Sequence, residues 1–295
     1  LPILDEITSK GGELLTNTAG TQVIMANGKA AGIYAAGETG TIQINAKAVL
    51  VCTGGFQGSQ EKIEKYLGVK NCVSLGNNLS TGDGIDMVLA AGGVLDRNFC
   101  VLGNEGSGTN HKVPGRIFDF STWNIANENL AFGIYGGLLV NPQGERFMNE
   151  QKIADYPLAL GGEAYLRAGR GYIVVDEAYY NGCATVGIYE HLGKPAEWVS
   201  GPALWFPVLA KAREQLDTAI SEGWAFKGET LAECAEHFGL ANLETTVAEY
   251  NEMCKAGEDN QFGKSPIFLK EIGEGPYYIF EYEPAAWSTN GGIKI

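Results

Sequence analysis

The sequence predicts an α/β fold at its amino-terminal end and an α+β fold over the remainder. Three observations carry that prediction. Ala48, Val49, Leu50, Val51 and Cys52 form a short, uncharged apolar run that stops at Gly54-Gly55, as a strand buried on both faces of a parallel sheet does. Ahead of it, short strand-like runs are punctuated by Asn27-Gly28 and by a Gly37–Gly40 loop, the pattern of an antiparallel meander. Toward the carboxyl end the apolar residues switch to helical spacing.

Taken in order, Leu4–Lys10 reads as the last turns of a helix closed by Gly11-Gly12. A strand-like run at Glu13–Thr18 is followed by runs at Thr21–Ala26, Ala30–Ala35 and Thr41–Asn45, a three-stranded meander that feeds the 48–52 strand. Ligands sit at the carboxyl ends of strands in open α/β sheets, so the Thr53-Gly54-Gly55 corner is the first candidate site. Glycine there removes the side chain that would hold a large ring system away. Gln60–Leu67 has helical spacing, and Ser80-Thr81-Gly82-Asp83-Gly84 opens an apolar helix from Ile85 to Ala91, with Ser80 or Thr81 as its cap. The first amides of that helix are unpaired and carry the positive end of its dipole.

From Asp96 to about Gly133 the chain turns to Gly, Asn and aromatic residues without a clear period, which places a domain boundary near Leu95. Gly137–Asn141 is a strand, Pro142–Glu145 a turn and Arg146–Glu150 the returning segment. Tyr172–Val175 is another strand. A helix opening at Pro207 lines up Val208, Leu209, Ala212, Leu216 and Ile220 and ends at Gly223. Thr230 and Glu233 form a capping box, and Asn242 caps a last helix whose Leu243, Val247, Tyr250 and Cys254 share a face.

A chain of 295 residues has room for two domains. Its composition is 45% hydrophobic without a long uncharged apolar run, which excludes a membrane-spanning helix. A formal charge of −14 argues against nucleic-acid or anionic-membrane surfaces. The six cysteines show no CxxC spacing, so scattered thiols are expected rather than staples or an iron–sulfur or zinc centre. His111, His191 and His237 are equally scattered, and no metal site is expected. Both ends, Leu1-Pro2 and Ile293-Lys294-Ile295, read as internal to a longer polypeptide, so the sequence assigns no compartment.

Five segments in order resemble the fumarate reductase/succinate dehydrogenase flavoprotein superfamily, especially its soluble fumarate- and urocanate-reductase-like members. They are Ala48–Phe56, Thr81–Asp86, Gly137–Glu150, the Leu231–Phe262 run with Ala248-Glu249-Tyr250-Asn251, and Gly275-Pro276-Tyr277-Tyr278 leading to Thr289-Asn290-Gly291-Gly292. The resemblance implies an FAD-binding dinucleotide fold, here incomplete and carrying the meander, followed by an α+β capping domain that closes over the flavin. It implies residues 1–95 as a partial FAD-binding domain, 96–282 as the capping domain and 283–295 as a return strand. It also implies hydride transfer between flavin N5 and an activated carbon–carbon double bond, with a side chain supplying the proton. Gly20 and Thr21 would meet the adenine end, and Thr53, Gly54, Gly55, Thr81, Gly82 and Asp83 would lie along the cofactor. The bland alternative for Asp83 is a helix N-terminal carboxylate paired with free amides.

Departures from the family pattern matter as much. No GxGxxG strand–turn–helix is present to seat the diphosphate, and Gly103-Asn104-Glu105-Gly106-Ser107-Gly108 does not follow a strand or open a helix. The expectation is therefore that this polypeptide binds FAD weakly or not at all, with the phosphate-binding amides supplied by flanking segments of a full-length chain. Where fumarate reductases place a proton-donating Arg, shortly after Phe-x-Asn-Glu, this chain has Ala154, next to a retained Asp155. The substrate-binding His is matched by Trp287, with Ser288 and Thr289 beside it, and Gly133 falls near the place of a carboxylate-binding Arg. A dicarboxylate needs fixed cationic donors, so the resemblance with these changes implies an aromatic or bulky enone or acrylate held against Trp287. Tyr135, Tyr156 and Arg116 are the candidate proton-supplying or electrostatic groups. For each tyrosine the alternative is a core aromatic with its hydroxyl satisfied.

The function expected is thus that of a fragment of an FAD-dependent reductase of a small, non-dicarboxylate C=C substrate, with an electron donor outside this chain. The alternatives are a ketosteroid-dehydrogenase-like enzyme running in the opposite direction, or a non-catalytic ligand-binding capping module.

Overall fold

The computed structural model describes residues 2–96, 100–105, 110–112, 118–119, 124–125, 127–155, 162–193 and 208–295. The chain divides into two compact units, and among the described residues no helix is long and apolar enough to cross a membrane.

The first unit consists of Leu1–Phe56, Leu79–Cys100 and Asn290–Ile295. Helix Pro2–Ser9 ends as its spacing implies, with Gly11 at φ 80° and the Gly11 and Gly12 amides donating to the carbonyls of Thr8 and Ile7. The meander is Ala19–Ala26, Lys29–Gly37 and Gly40–Asn45, strictly antiparallel. Asn27 and Gly28 take the left-handed backbone that a two-residue hairpin turn demands. Residues 13–18 form no strand; the first strand starts at Ala19 instead.

The main correction concerns residues 48–52, which are not a strand. Leu50 is 88% exposed, and Ala48 and Cys52 are exposed as well. A parallel strand is buried on both faces only when strands flank it, and no described strand pairs with this run. Val49 and Val51, alternating with the exposed residues, are half-buried. What covers Val51 is the helix Asp83–Ala90: a Cβ at Gly84 would stand 2.6 Å from Val51 Cγ1 and 2.1 Å from Thr53 Oγ1. The α/β character of this unit is therefore a meander with a helix laid on it. Val94–Leu95 pairs antiparallel with Ile293–Lys294.

The second unit comprises Gln57–Asn78 and Val101–Thr289. Its centre is a four-stranded antiparallel sheet in the order Ala225–Gly228, Tyr277–Tyr282, Gly171–Asp176, Leu138–Val140. All six residues of Gly171–Asp176 are buried, because helices cover both faces of the sheet. Ile173 and Val175 point into one core with Leu139, Phe280 and Trp224, whereas Tyr172 and Val174 point into another with Leu138, Val140 and Ile279. Helix Ala212–Ser221 supplies Ala212, Leu216 and Ala219 to the first core. Pro207, expected at its start, lies outside the described residues. Helices Leu231–Phe238 and Leu243–Ala256 cover the second core with Cys234, Leu243, Val247 and Tyr250. The capping box of Thr230 and Glu233 is formed, but Asn242 makes no side-chain cap and donates to Glu145 at 3.0 Å instead. A second, three-stranded sheet pairs Ala285–Asn290 in parallel with Val73–Ser74 and also includes Cys100–Glu105.

Candidate functional site

In the first unit, Gly20, Thr53, Thr81, Gly82 and Asp83 line one cleft of about 390 Å³. Three elements from distant parts of the sequence bring them together. The first meander strand supplies Gly20 through its edge, the 50–53 ribbon supplies Thr53, and the start of helix Asp83–Ala90 supplies the rest. Gly82 is the residue before the helix and adopts φ 81°, so neither Ser80 nor Thr81 serves as the expected cap. Thr81 Oγ1 donates to Asp83 Oδ1 at 2.9 Å, which holds that carboxylate at the helix N-terminus.

Neighbouring side chains occupy the space that a Cβ on these glycines would need. A Cβ at Gly20 would meet Ile33 Cδ1 at 2.9 Å, and one at Gly54, where φ is 79°, would meet Ser80 Oγ at 2.9 Å. The floor is apolar, with Ile33, Val51 and Met87, and the rim carries Leu50 and Leu79, both nearly fully exposed. Thr21 does not line the cleft: it follows Gly20 on the strand, faces away and donates to the Tyr34 carbonyl at 3.1 Å. Gly54 and Gly55 flank Thr53 without lining the cleft themselves. Met87, one helical turn beyond Asp83, was hidden in the sequence by its helix-face role, although the i, i+4 spacing points to it.

These residues suit one part of FAD and not another. Hydroxyl-rich or flat uncharged groups match a cleft with glycine walls, threonine hydroxyls and a single carboxylate acceptor. The diphosphate does not match, because Asp83 already places a negative charge where a helix N-terminus would receive an anion.

In the second unit the candidate substrate residues fall on two elements. Ala154 and Asp155 end the short helix Gln151–Asp155. Ala154 is buried, and a Cβ at Gly136 would lie 3.3 Å from Ala154 Cβ and 3.1 Å from a Phe268 ring carbon, so no long side chain fits at 154 without repacking. Gln151 Nε2 donates to Asp155 Oδ2 at 3.1 Å. Trp287, Ser288 and Thr289 lie on strand Ala285–Asn290, where alternation separates them: Trp287 packs against the first core beside Val73 and Leu75, and Ser288 is exposed on the opposite face. The Trp287 carbonyl comes so near Gly76 that a Cβ there would stand 2.0 Å from it.

Tyr135 is buried in that same core, edge-on to Phe132. Burial, and then neighbouring Cys183 and Tyr189, push its phenol well above the ordinary tyrosine value, so it holds its proton throughout the physiological range. Tyr156 and Arg116 lie outside the described residues. The carboxylates and His/Cys side chains form no metal-holding group among the described residues.

The sequence reading missed a buried charge cluster next to the short helix. Arg146 donates to Glu150 at 2.9 and 2.8 Å and to Asp259 at 3.0 and 2.9 Å, with all three side chains buried. Lys264, equally buried, lies 3.5 Å from Glu150 and donates to Tyr250 at 3.1 Å. Burial opposes the charge on Asp259, but Arg146 and the Lys264 and Phe262 amides overcome it and hold the carboxyl well below the usual range. Burial lowers Lys264, which Glu150 only partly offsets. The i, i+4 spacing of Arg146 and Glu150 was the available signal.

The FAD binding domain family matches residues 2–295. Among curated proteins, the chain is 26% identical to a vinyl phenol reductase of Lactiplantibacillus plantarum, over 97% of this chain and 57% of that protein. It is 28% identical to an NADH:acrylate oxidoreductase of Vibrio harveyi, over 98% of this chain and 26% of that protein. The chain thus spans little more than half, or much less, of the length of these relatives. Its fold is similar to that of a solved ketosteroid delta1-dehydrogenase of Sterolibacterium denitrificans, with TM-score 0.62, 20% identity, and coverage of 97% of this chain and 51% of that one. The chain belongs to the FAD binding domain family, and within it resembles the fumarate-reductase-like flavoproteins.

Proposed function

We propose that this chain provides part of the FAD cleft and the substrate-handling unit of a reductase acting on the activated C=C bond of a small, non-dicarboxylate molecule. The observation that carries the reading is the convergence of Gly20, Thr53, Thr81, Gly82 and Asp83 on one cleft in a chain of this family. Those residues, with Gly54 and Gly55 behind them, would hold an uncharged stretch of FAD, and Asp83 would accept a hydrogen bond from a hydroxyl there. When bound, FAD supplies hydride transfer to the activated double bond. Flanking polypeptide supplies the diphosphate-binding amides, and residues 1–95, 96–282 and 283–295 act as partial cofactor domain, capping domain and return strand.

Substrate choice follows from what replaces the family's cations. Ala154 is packed against Gly136 and Phe268, and it, Gly133 and Trp287 put no charge at the three positions where the family pattern has cations for a dicarboxylate. A vinyl phenol or an acrylate, the compounds named for two relatives, suits such a site. Tyr156 and Arg116 are the candidates for supplying the proton. Tyr135 stays on that list only through motion of the core, since its hydroxyl is buried.

The test uses the full-length, flavin-loaded protein with reduced methyl viologen as donor. Vinyl phenol or acrylate is expected to be reduced and fumarate left untouched; turnover of fumarate would overturn the substrate reading.

A further inference from the structure

We infer that Gln151 is a positioning residue that aims the Asp155 carboxylate, and that the backbone amide of Ser265 locks it in place. The inference rests on the reading of Asp155 as a substrate-site residue, and deepens it. Ser265 N–H donates to Gln151 Oε1 at 2.8 Å, and Gln151 Nε2 donates to Asp155 Oδ2 at 3.1 Å. The direction of the carboxamide is not open to choice. A backbone amide only donates, so the oxygen must face Ser265, and the nitrogen is then turned to the carboxylate, which only accepts.

The amide of Ser265 is itself held from several sides. Asp259 accepts from the Lys264 amide at 3.0 Å and from Arg146, while Asn149 Nδ2 donates to the carbonyls of Phe262 and Gly263. Arg146, Glu150, Asp259 and Lys264, two basic and two acidic side chains, are buried together, so the 259–265 loop is tied to the start of helix Gln151–Asp155. A second tie is the Gln151 amide itself, which donates to Asn149 Oδ1 at 3.0 Å. An ordinary i, i+4 pair on a helix surface lacks any such external clamp. Here the loop decides which way Asp155 points.

The Ser265 backbone makes a clean test possible. Its φ of −60° and ψ of 141° are angles that proline adopts, so Ser265→Pro removes the donor at a backbone position suited to it. In the 295-residue chain, the Gln151 side-chain amide protons are expected to exchange slowly by NMR, and to lose that protection in both Ser265→Pro and Asp155→Ala. In the full-length holoenzyme, with vinyl phenol as probe, Gln151→Leu and Ser265→Pro are each expected to raise KM about five-fold or more, with kcat nearly unchanged. In an Asp155→Ala background Gln151→Leu should add nothing, because its whole effect passes through that carboxylate. A merely structural Gln151 would give additive losses in the double variant and a lowered melting temperature in both backgrounds. Additive losses, or unprotected Gln151 amide protons in the unaltered chain, would overturn the inference. Protected protons in an enzyme that reduces none of the probes would overturn the reductase reading alone.

Discussion

Gly84 shows how little room the candidate cleft leaves. Its missing Cβ lets the helix Asp83–Ala90 touch Thr53 and Val51, so Gly84→Ala forces helix and ribbon apart. The expected cost is about 1–3 kcal/mol, read as a lower urea midpoint, with loss of whatever flavin affinity the full-length protein has. Arg146 stands at the other extreme, a buried cation with two buried carboxylates. Arg146→Met would take the guanidinium from both, leaving Glu150 only Lys264 and Asp259 only backbone amides, and a loss of about 3–5 kcal/mol is expected by chemical denaturation. The same cluster sets an acid limit. Asp259 is held below its unfolded value of about 3.9, so its contribution is complete above that pH and disappears as the pH falls through the folded value. Urea midpoints measured from pH 5 down to pH 2 should therefore drop in the native protein and drop less in Asp259→Asn. An equal slope in both would show that other groups govern acid unfolding.

At the scale of elements, local signals were honoured where they are self-sufficient. The capping box at Thr230 and the Asn27-Gly28 turn depend on a few neighbouring residues, and both formed as read. Thr230→Ala is expected to cost about 1 kcal/mol in thermal or urea unfolding while leaving the distant cleft untouched. Signals that need a partner fared differently. The 48–52 run has the composition of a central strand, yet a strand exists only through its neighbours, and Leu50 is left facing solvent. Asn242 has the side chain of a cap, but Glu145 across the turn competes for it. Arg146–Glu150 reads as a returning strand, yet only Arg146 bridges to Val140, because Glu150 turns inward to its charge partners.

For the whole molecule, the cofactor question turns on what each part of FAD requires. The cleft offers hydroxyl and ring contacts but a carboxylate where a diphosphate would need amides, so the 295-residue chain alone is expected to bind FAD weakly. Fluorescence titration of the chain with FAD checks this; a one-to-one yellow complex would contradict it. The sequence by itself determined the family, through five ordered segments, and it determined the positions of most helices, since caps and apolar spacing act over a few residues. It also named five of the residues that share the cleft. Only the tertiary structure decided that Thr21 faces away from the cleft and that Trp287 and Ser288 part to opposite faces. The same holds for Tyr135, which closes into a core, and for the four charges that meet beneath the Gln151–Asp155 helix. Those outcomes depend on which distant backbones approach each other, and a linear pattern of residue types carries no record of that approach.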